Sequence, residues 1–135
     1  MALQLSRNQH AELLKWAASA GEQECCGLVL GEGTSISCVL LADNVAADPR
    51  RYFEIDPAIL ISVQKHRRAG GPDIVGYFHS HPNGLARPSA TDVRQAEPDG
   101  KFWLIICDGQ VSAWRPVENK GVVNGFEAVL LTVQG

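Results

Sequence analysis

The sequence is short of several things, and each shortage excludes a class of protein. Its four cysteines, Cys25, Cys26, Cys38 and Cys107, form no C-x-x-C pair, so neither a disulfide framework nor a cysteine zinc knuckle is expected. Reduced thiols in a cytoplasmic protein are the expectation instead. The opening Met-Ala-Leu-Gln-Leu-Ser-Arg has no charged region followed by an apolar one, so no signal peptide is read there. No apolar run approaches the ~20 residues that cross a bilayer, and no membrane partner is expected. Basic residues are not in excess: 12 Lys and Arg face 15 Asp and Glu, for a net charge of −3. Nucleic acid is therefore not expected as a partner, because phosphate binding needs a basic face. The densest basic run, Lys65-His66-Arg67-Arg68, falls in an expected helix and reads as a solvated face. The remainder is ordinary for a globular chain, with 45% hydrophobic and 20% charged residues. The 135 residues read as one domain, 1–135.

The elements follow from periodicity and punctuation. Ser6 caps a helix to about Ala20, with Leu13, Trp16, Ala17 and Ala20 on one face and Gly21 ending it. Cys25 to Leu30 is a short apolar run that reads as a buried strand. Thr34 to Ala42 pairs with it as a hairpin across Gly31-Glu32-Gly33. A polar loop over 44–51 leads to a short strand from Tyr52 to Ile55. Asp56-Pro57 starts a helix that carries Leu60 and Val63 inward and stops at Gly70-Gly71-Pro72. Ile74 to His79 is a strand. His81 to Pro88 is a loop containing Pro82 and Asn83-Gly84. Ser89 then caps a helix to about Glu97. Phe102 to Cys107 and Val111 to Trp114 are strands joined at Asp108-Gly109, and Gly121 to Val133 adds one or two more. This order predicts a mixed α/β sandwich rather than a doubly wound sheet.

Two stretches carry chemistry: His79-Ser80-His81-Pro82 and Ser89-Ala90-Thr91-Asp92. Histidines at i and i+2 on a strand face the same way, with Cα atoms ~6.5–7 Å apart. Two imidazoles at that spacing can converge on one ion at ~2.0–2.1 Å. The proline- and glycine-containing loop can fold back and present Asp92 as a third ligand. Three protein ligands and an open position make the catalytic zinc pattern, whereas structural zinc takes four. Taken alone, Ser89 and Asp92 are an ordinary capping arrangement, and a lone H-x-H is an ordinary surface pair.

Together these residues resemble the JAMM metalloprotease family, also called MPN-plus or JAB. Its pattern is an early glutamate in E-x-x-G, then H-x-H-P, then S-x-x-D. Glu24-Cys25-Cys26-Gly27 supplies the first part, and the two stretches above supply the rest. The resemblance runs from about residue 5 to 115. It implies a single JAB/MPN (cytidine-deaminase-like) α/β domain with a mixed, mostly antiparallel sheet flanked by helices. It implies Zn2+ on His79, His81 and Asp92, with Glu24 as acid–base and Ser89 as donor to the oxyanion.

The resemblance also implies a substrate: the amide after the C-terminal Gly-Gly of a ubiquitin-like or sulfur-carrier protein. Only eight residues separate Asp92 from Lys101, so this compact chain is similar to the small prokaryotic members. A Gly-Gly tail suits a narrow groove beside a strand edge. That edge is either the strand around Val39 or the segment Tyr52 to Ile55. Three other readings exist: a catalytically silent MPN-type scaffold, a RadC-like protein and a structural zinc site. The complete ligand set, the acidic charge and the absence of a fourth ligand argue against each in turn. Cys25 and Cys26 read as small buried hydrophobes, Asn44 and Arg51 as solvated loop residues, and Trp103 and Trp114 as packing.

Overall fold

The computed structural model of the protein describes residues 2–82 and 84–135. The expected turn at Asn83 lies outside the described residues. Seven strands and three helices alternate as β1 (Ala2–Ser6), α1 (Arg7–Ala20), β2 (Cys26–Glu32), β3 (Ser35–Ala42), α2 (Pro57–Arg68), β4 (Asp73–Ser80), α3 (Ala90–Gln95), β5 (Phe102–Cys107), β6 (Gln110–Asn119) and β7 (Val122–Gln134). The expected mixed sheet closes on itself, in the order β1-β3-β2-β4-β5-β6-β7. Antiparallel pairing joins β2 to β3 and β4, and β6 to β5 and β7. Parallel pairing joins β4 to β5 and β1 to both its neighbours.

Most elements form for local reasons. Ser6 Oγ accepts from Gln9 N–H at 3.1 Å while Gln9 Oε1 accepts from Ser6 N–H at 2.7 Å, a reciprocal cap for α1. Asp56 caps α2 by accepting from Ala58 N–H, with Pro57 behind it. The basic run Lys65 to Arg68 occupies the last turn of α2, where cations complement the helix dipole. Asp108 and Gly109 both take positive φ, 52° and 72°, as the tight turn between β5 and β6 requires.

Two layers of side chains flank β2 and β4. Val29, Phe78, Leu104 and Ile106 pack with Leu13 and Trp16 of α1 on one side. Leu28, Leu30 and Ile74 pack with Val63 of α2 on the other. Both faces of β2 are covered, which is why its sequence is continuously apolar rather than alternating.

Three expectations change. β1 was not expected; its only signal is the alternation of Leu3 and Leu5, both buried against α1. Tyr52 to Ile55 is not a strand: one isolated bridge, Ile55 to Asn44, is all that pairs there. Among its remaining bonds, the Tyr52 N–H donates to the Asp48 carbonyl and others go to the Asn44 side chain. The last helix ends at Gln95 rather than about Glu97: Ala96 already has extended backbone, with φ −70° and ψ 138°.

Gly27 lies where β2 crosses Phe78. A Cβ there would run into the Leu40 carbonyl oxygen and the Phe78 ring. Gly27→Ala is therefore expected to lower stability by about 1–3 kcal/mol, as overpacking does, read as a lower midpoint with unchanged slope in urea unfolding.

Candidate active site

The site begins with a register. Cys26 on β2 stands opposite His79 on β4. One step further, Ser80 N–H donates to the Cys25 carbonyl at 3.0 Å. Beyond the paired residues, Glu24 and His81 line the same cleft. Residues more than fifty positions apart in the chain thereby become neighbours. Ser80 reinforces the junction from its side chain: Oγ accepts from Cys25 N–H at 2.8 Å. Nothing local in the sequence marks this residue beyond its place between two histidines.

His79, His81 and Asp92 come together as expected. Among the described residues they form the one group whose donor atoms are placed to hold an ion, all within 4.8 Å of one another and buried. The two Nε2 atoms are 3.0 Å apart. Asp92 Oδ1 lies 3.1 Å from His79 Nε2, and Oδ2 lies 3.0 Å from His81 Nε2. A tetrahedral zinc ion with bonds of ~2.0–2.1 Å holds its ligand atoms about 3.3 Å apart. The donor types and spacings fit zinc, with no fourth donor in the group.

Each ligand is aimed by its surroundings. His79 is fully buried, stacked on Phe53 with centroids 4.3 Å apart and edge-on to Trp103. His81 Nδ1 lies 2.8 Å from the Leu85 carbonyl, so that nitrogen carries the proton as donor and Nε2 is left as the ligand. Asp92 is a capping residue within the donor group: its Oδ2 accepts from Ser89 N–H at 2.9 Å while Ser89 Oγ accepts from Asp92 N–H at 3.1 Å. The same carboxylate thus caps α3 and belongs to the buried donor group.

The electrostatics favour a cation. Burial pushes His79 down, to the neutral imidazole that a metal needs. Burial alone would raise Asp92, but hydrogen bonds from His79, His81 and the Ser89 amide hold it well below the usual carboxylate range. Burial also opposes protonation of His81, and bonds to Asp92 and the Leu85 carbonyl reverse that, raising it.

Glu24 and Ser89 line one cleft of about 580 Å3 beside the cluster, with His81, Pro82, Arg50, Arg51 and Tyr52. Glu24 is 8% exposed. Burial raises its carboxyl to about 7, with His81 lowering it and Asp92 raising it. A second cleft, about 760 Å3, meets the first at Tyr52 and is lined by Phe53, Tyr77, Trp103 and Arg94 among others. Cys25 and Cys26 are buried and burial raises both thiols, Cys26 to about 12, which suits packing rather than nucleophilic chemistry.

Asn44 is the clear correction. Far from being merely solvated, its side chain bonds five backbone groups: Nδ2 donates to the carbonyls of Glu24, Pro49 and Tyr52, and Oδ1 accepts from Ala46 and Glu54 N–H. The only local signal was an Asn at the start of a polar loop.

Because Glu24 favours its protonated form in the fold, its contribution to stability is present below pH ~4.5 and lost as pH rises through about 7. In metal-free protein, Glu24→Gln should match wild type near pH 4.5. By pH 8 it should be more stable by about 1–2 kcal/mol, a figure discounted for the open cleft, measured as paired thermal melts across pH.

Comparison with known proteins agrees with this geometry. The family model described as prokaryotic homologues of the JAB domain matches residues 6–117. A desampylase of Haloferax volcanii is 36% identical over 72% of this chain and 72% of its own length. A probable TtuB-protein conjugate cleaving protease of Thermus thermophilus is 29% identical over 78% of this chain and 68% of its own. The solution structure of DSY2949 from Desulfitobacterium hafniense superposes with a TM-score of 0.81 at 28% identity, covering 97% of this chain and 92% of that one. The chain belongs to the prokaryotic JAB-domain family.

Proposed function

We propose that the protein is a zinc-dependent JAMM-type peptidase that cleaves the amide joining the C-terminal Gly-Gly of a ubiquitin-like or sulfur-carrier protein to an amine. One observation carries this reading: the Glu24 carboxyl and the Ser89 hydroxyl open into the same cleft, beside a buried His79–His81–Asp92 donor group. The relatives support the substrate class, since one is named for cleaving a protein conjugate.

Each residue has a part that its surroundings suit. His79, His81 and Asp92 hold the ion. Bound zinc supplies Lewis acidity, polarising an amide carbonyl and bringing water toward a pKa of ~7. Glu24, raised to about 7, is poised to accept a proton from the attacking water and pass it to the departing amine. Ser89 Oγ accepts from the Asp92 amide, which leaves its O–H free to donate to the amide oxygen as charge builds there.

The tail has a place to lie. Tyr52 and Glu54 spend their backbone groups on the 44–48 side of the loop. The Phe53 N–H and C=O between them have no partner among the described residues, and Phe53 lines the second cleft. An extended peptide can add to that edge, and glycines without Cβ can pass the narrow point between the clefts. Of the two edges considered, this favours Tyr52 to Ile55; Val39 is buried in the core and lines neither cleft.

The test is intact-mass analysis of a sulfur carrier bearing one extra C-terminal cysteine, alongside an isopeptide-linked conjugate. Zinc-loaded protein should release the group after Gly-Gly from at least one of them. A chelator should stop this, and added zinc should restore it. Cleavage of neither substrate would sink the catalytic reading. Glu24→Ala should lower kcat by roughly 10²–10⁴-fold while still binding zinc. Ser89→Ala should lower kcat by roughly 10²–10³-fold, beyond the ~1 kcal/mol that loss of a helix cap takes from stability.

A further inference from the structure

We propose that Asn44 is a positioning residue: it sets the place of Glu24 and ties it to the substrate-facing loop. This rests on the reading of Glu24 as the acid–base group. Glu24 precedes β2, so no strand ladder fixes its backbone. Three other bonds do. Its N–H donates to the Pro49 carbonyl at 2.7 Å. Its carbonyl accepts from Asn44 Nδ2 at 2.9 Å. The following N–H, of Cys25, is held by Ser80 Oγ. One anchor is therefore the rigid strand of the metal ligands, and the others belong to the 44–54 loop.

Asn44 is what gives that loop its shape. An Asn that merely started a turn would make one bond, Oδ1 to Ala46 N–H. Here Oδ1 also accepts from Glu54 N–H at 3.0 Å, while Nδ2 is shared between the carbonyls of Glu24 and Tyr52, each at 2.9 Å. The pattern admits one amide orientation only, because every oxygen partner is a donor and every nitrogen partner an acceptor. The same side chain thus holds the acid–base residue and both flanks of Phe53, whose free edge faces the second cleft. A tail docked along Phe53 bears on Tyr52 and Glu54, and through Asn44 on Glu24. The loop aligns the catalytic carboxylate as well as walling the groove.

Two substitutions separate this role from simple loop folding. Asn44→Ala removes every bond. Asn44→Asp keeps the acceptor for Ala46 and Glu54 but faces oxygen to the Glu24 and Tyr52 carbonyls. Both should lower kcat by roughly 10- to 100-fold, the cost of about an ångström of misplacement. The absorption spectrum of cobalt-substituted protein should be unchanged, because the ligands are held by β4 and α3. Val63→Ala, a core cavity of comparable destabilisation remote from the site, should keep wild-type kcat. In metal-free protein, amide exchange at Glu24 should speed by about 10-fold or more in Asn44→Ala, with Phe78 unaffected. Wild-type kcat in Asn44→Asp would overturn the proposal, as would unchanged Glu24 exchange in Asn44→Ala. If the zinc-loaded wild type cleaves nothing, the peptidase reading fails, and the exchange rates still decide whether Asn44 holds Glu24.

Discussion

Everything at the site depends on one strand register, Cys26 against His79. It brings the start of β2, with Glu24 two residues before Cys26, to the end of β4, where His79 and His81 meet. A slip of one residue would exchange the two buried faces of β2. The register is guarded accordingly. Phe78 can cross β2 only where Gly27 leaves out a Cβ, and Leu28 and Val29 are buried on opposite faces. Packing energy in the core is thereby converted into catalytic alignment at the strand ends.

The metal cluster is held in a state that favours a cation. Two imidazole nitrogens and a carboxylate lie within hydrogen-bond distance of one another in a buried pocket. Burial penalises protonated histidine, while Asp92 is kept ionised by its neighbours. A divalent ion suits both, since it takes neutral imidazole and ionised carboxylate as ligands. The face-on stack of Phe53 and the edge-on contact of Trp103 fix the plane of the His79 ring.

Ser89 and Asp92 show how one arrangement serves two ends. Their reciprocal bonds make an ordinary helix start, and α3 is only six residues long, too short to hold its position by its own hydrogen bonds. The capping box aims Asp92 at the histidines and frees the Ser89 hydroxyl proton for the cleft. The loop over 44–54 does related work on the opposite wall, where side-chain bonds from Asn44 replace a ladder.

Much was legible in the chain itself. Residue order carried the family resemblance that marked His79, His81 and Asp92, which the structure brings together; the shared face of the histidines and the Ser89 cap were legible because a strand's period of two and a helix cap's span of three are local rules. Helices α1 and α2 and strands β2 to β6 were readable for the same reason. Contacts made across long sequence distances were not. Barrel closure hinges on β1 pairing with β7, and five residues with two leucines carry no local mark of a partner at the other end of the chain. Nor does an asparagine in a polar loop announce that it will bond Glu24, twenty residues earlier. Which chemistry this chain is equipped for was written in its residue types. How Glu24 meets His81, and what holds it there, was decided only by folding, since pairing registers and side-chain bridges between distant segments are set by the packing of the whole.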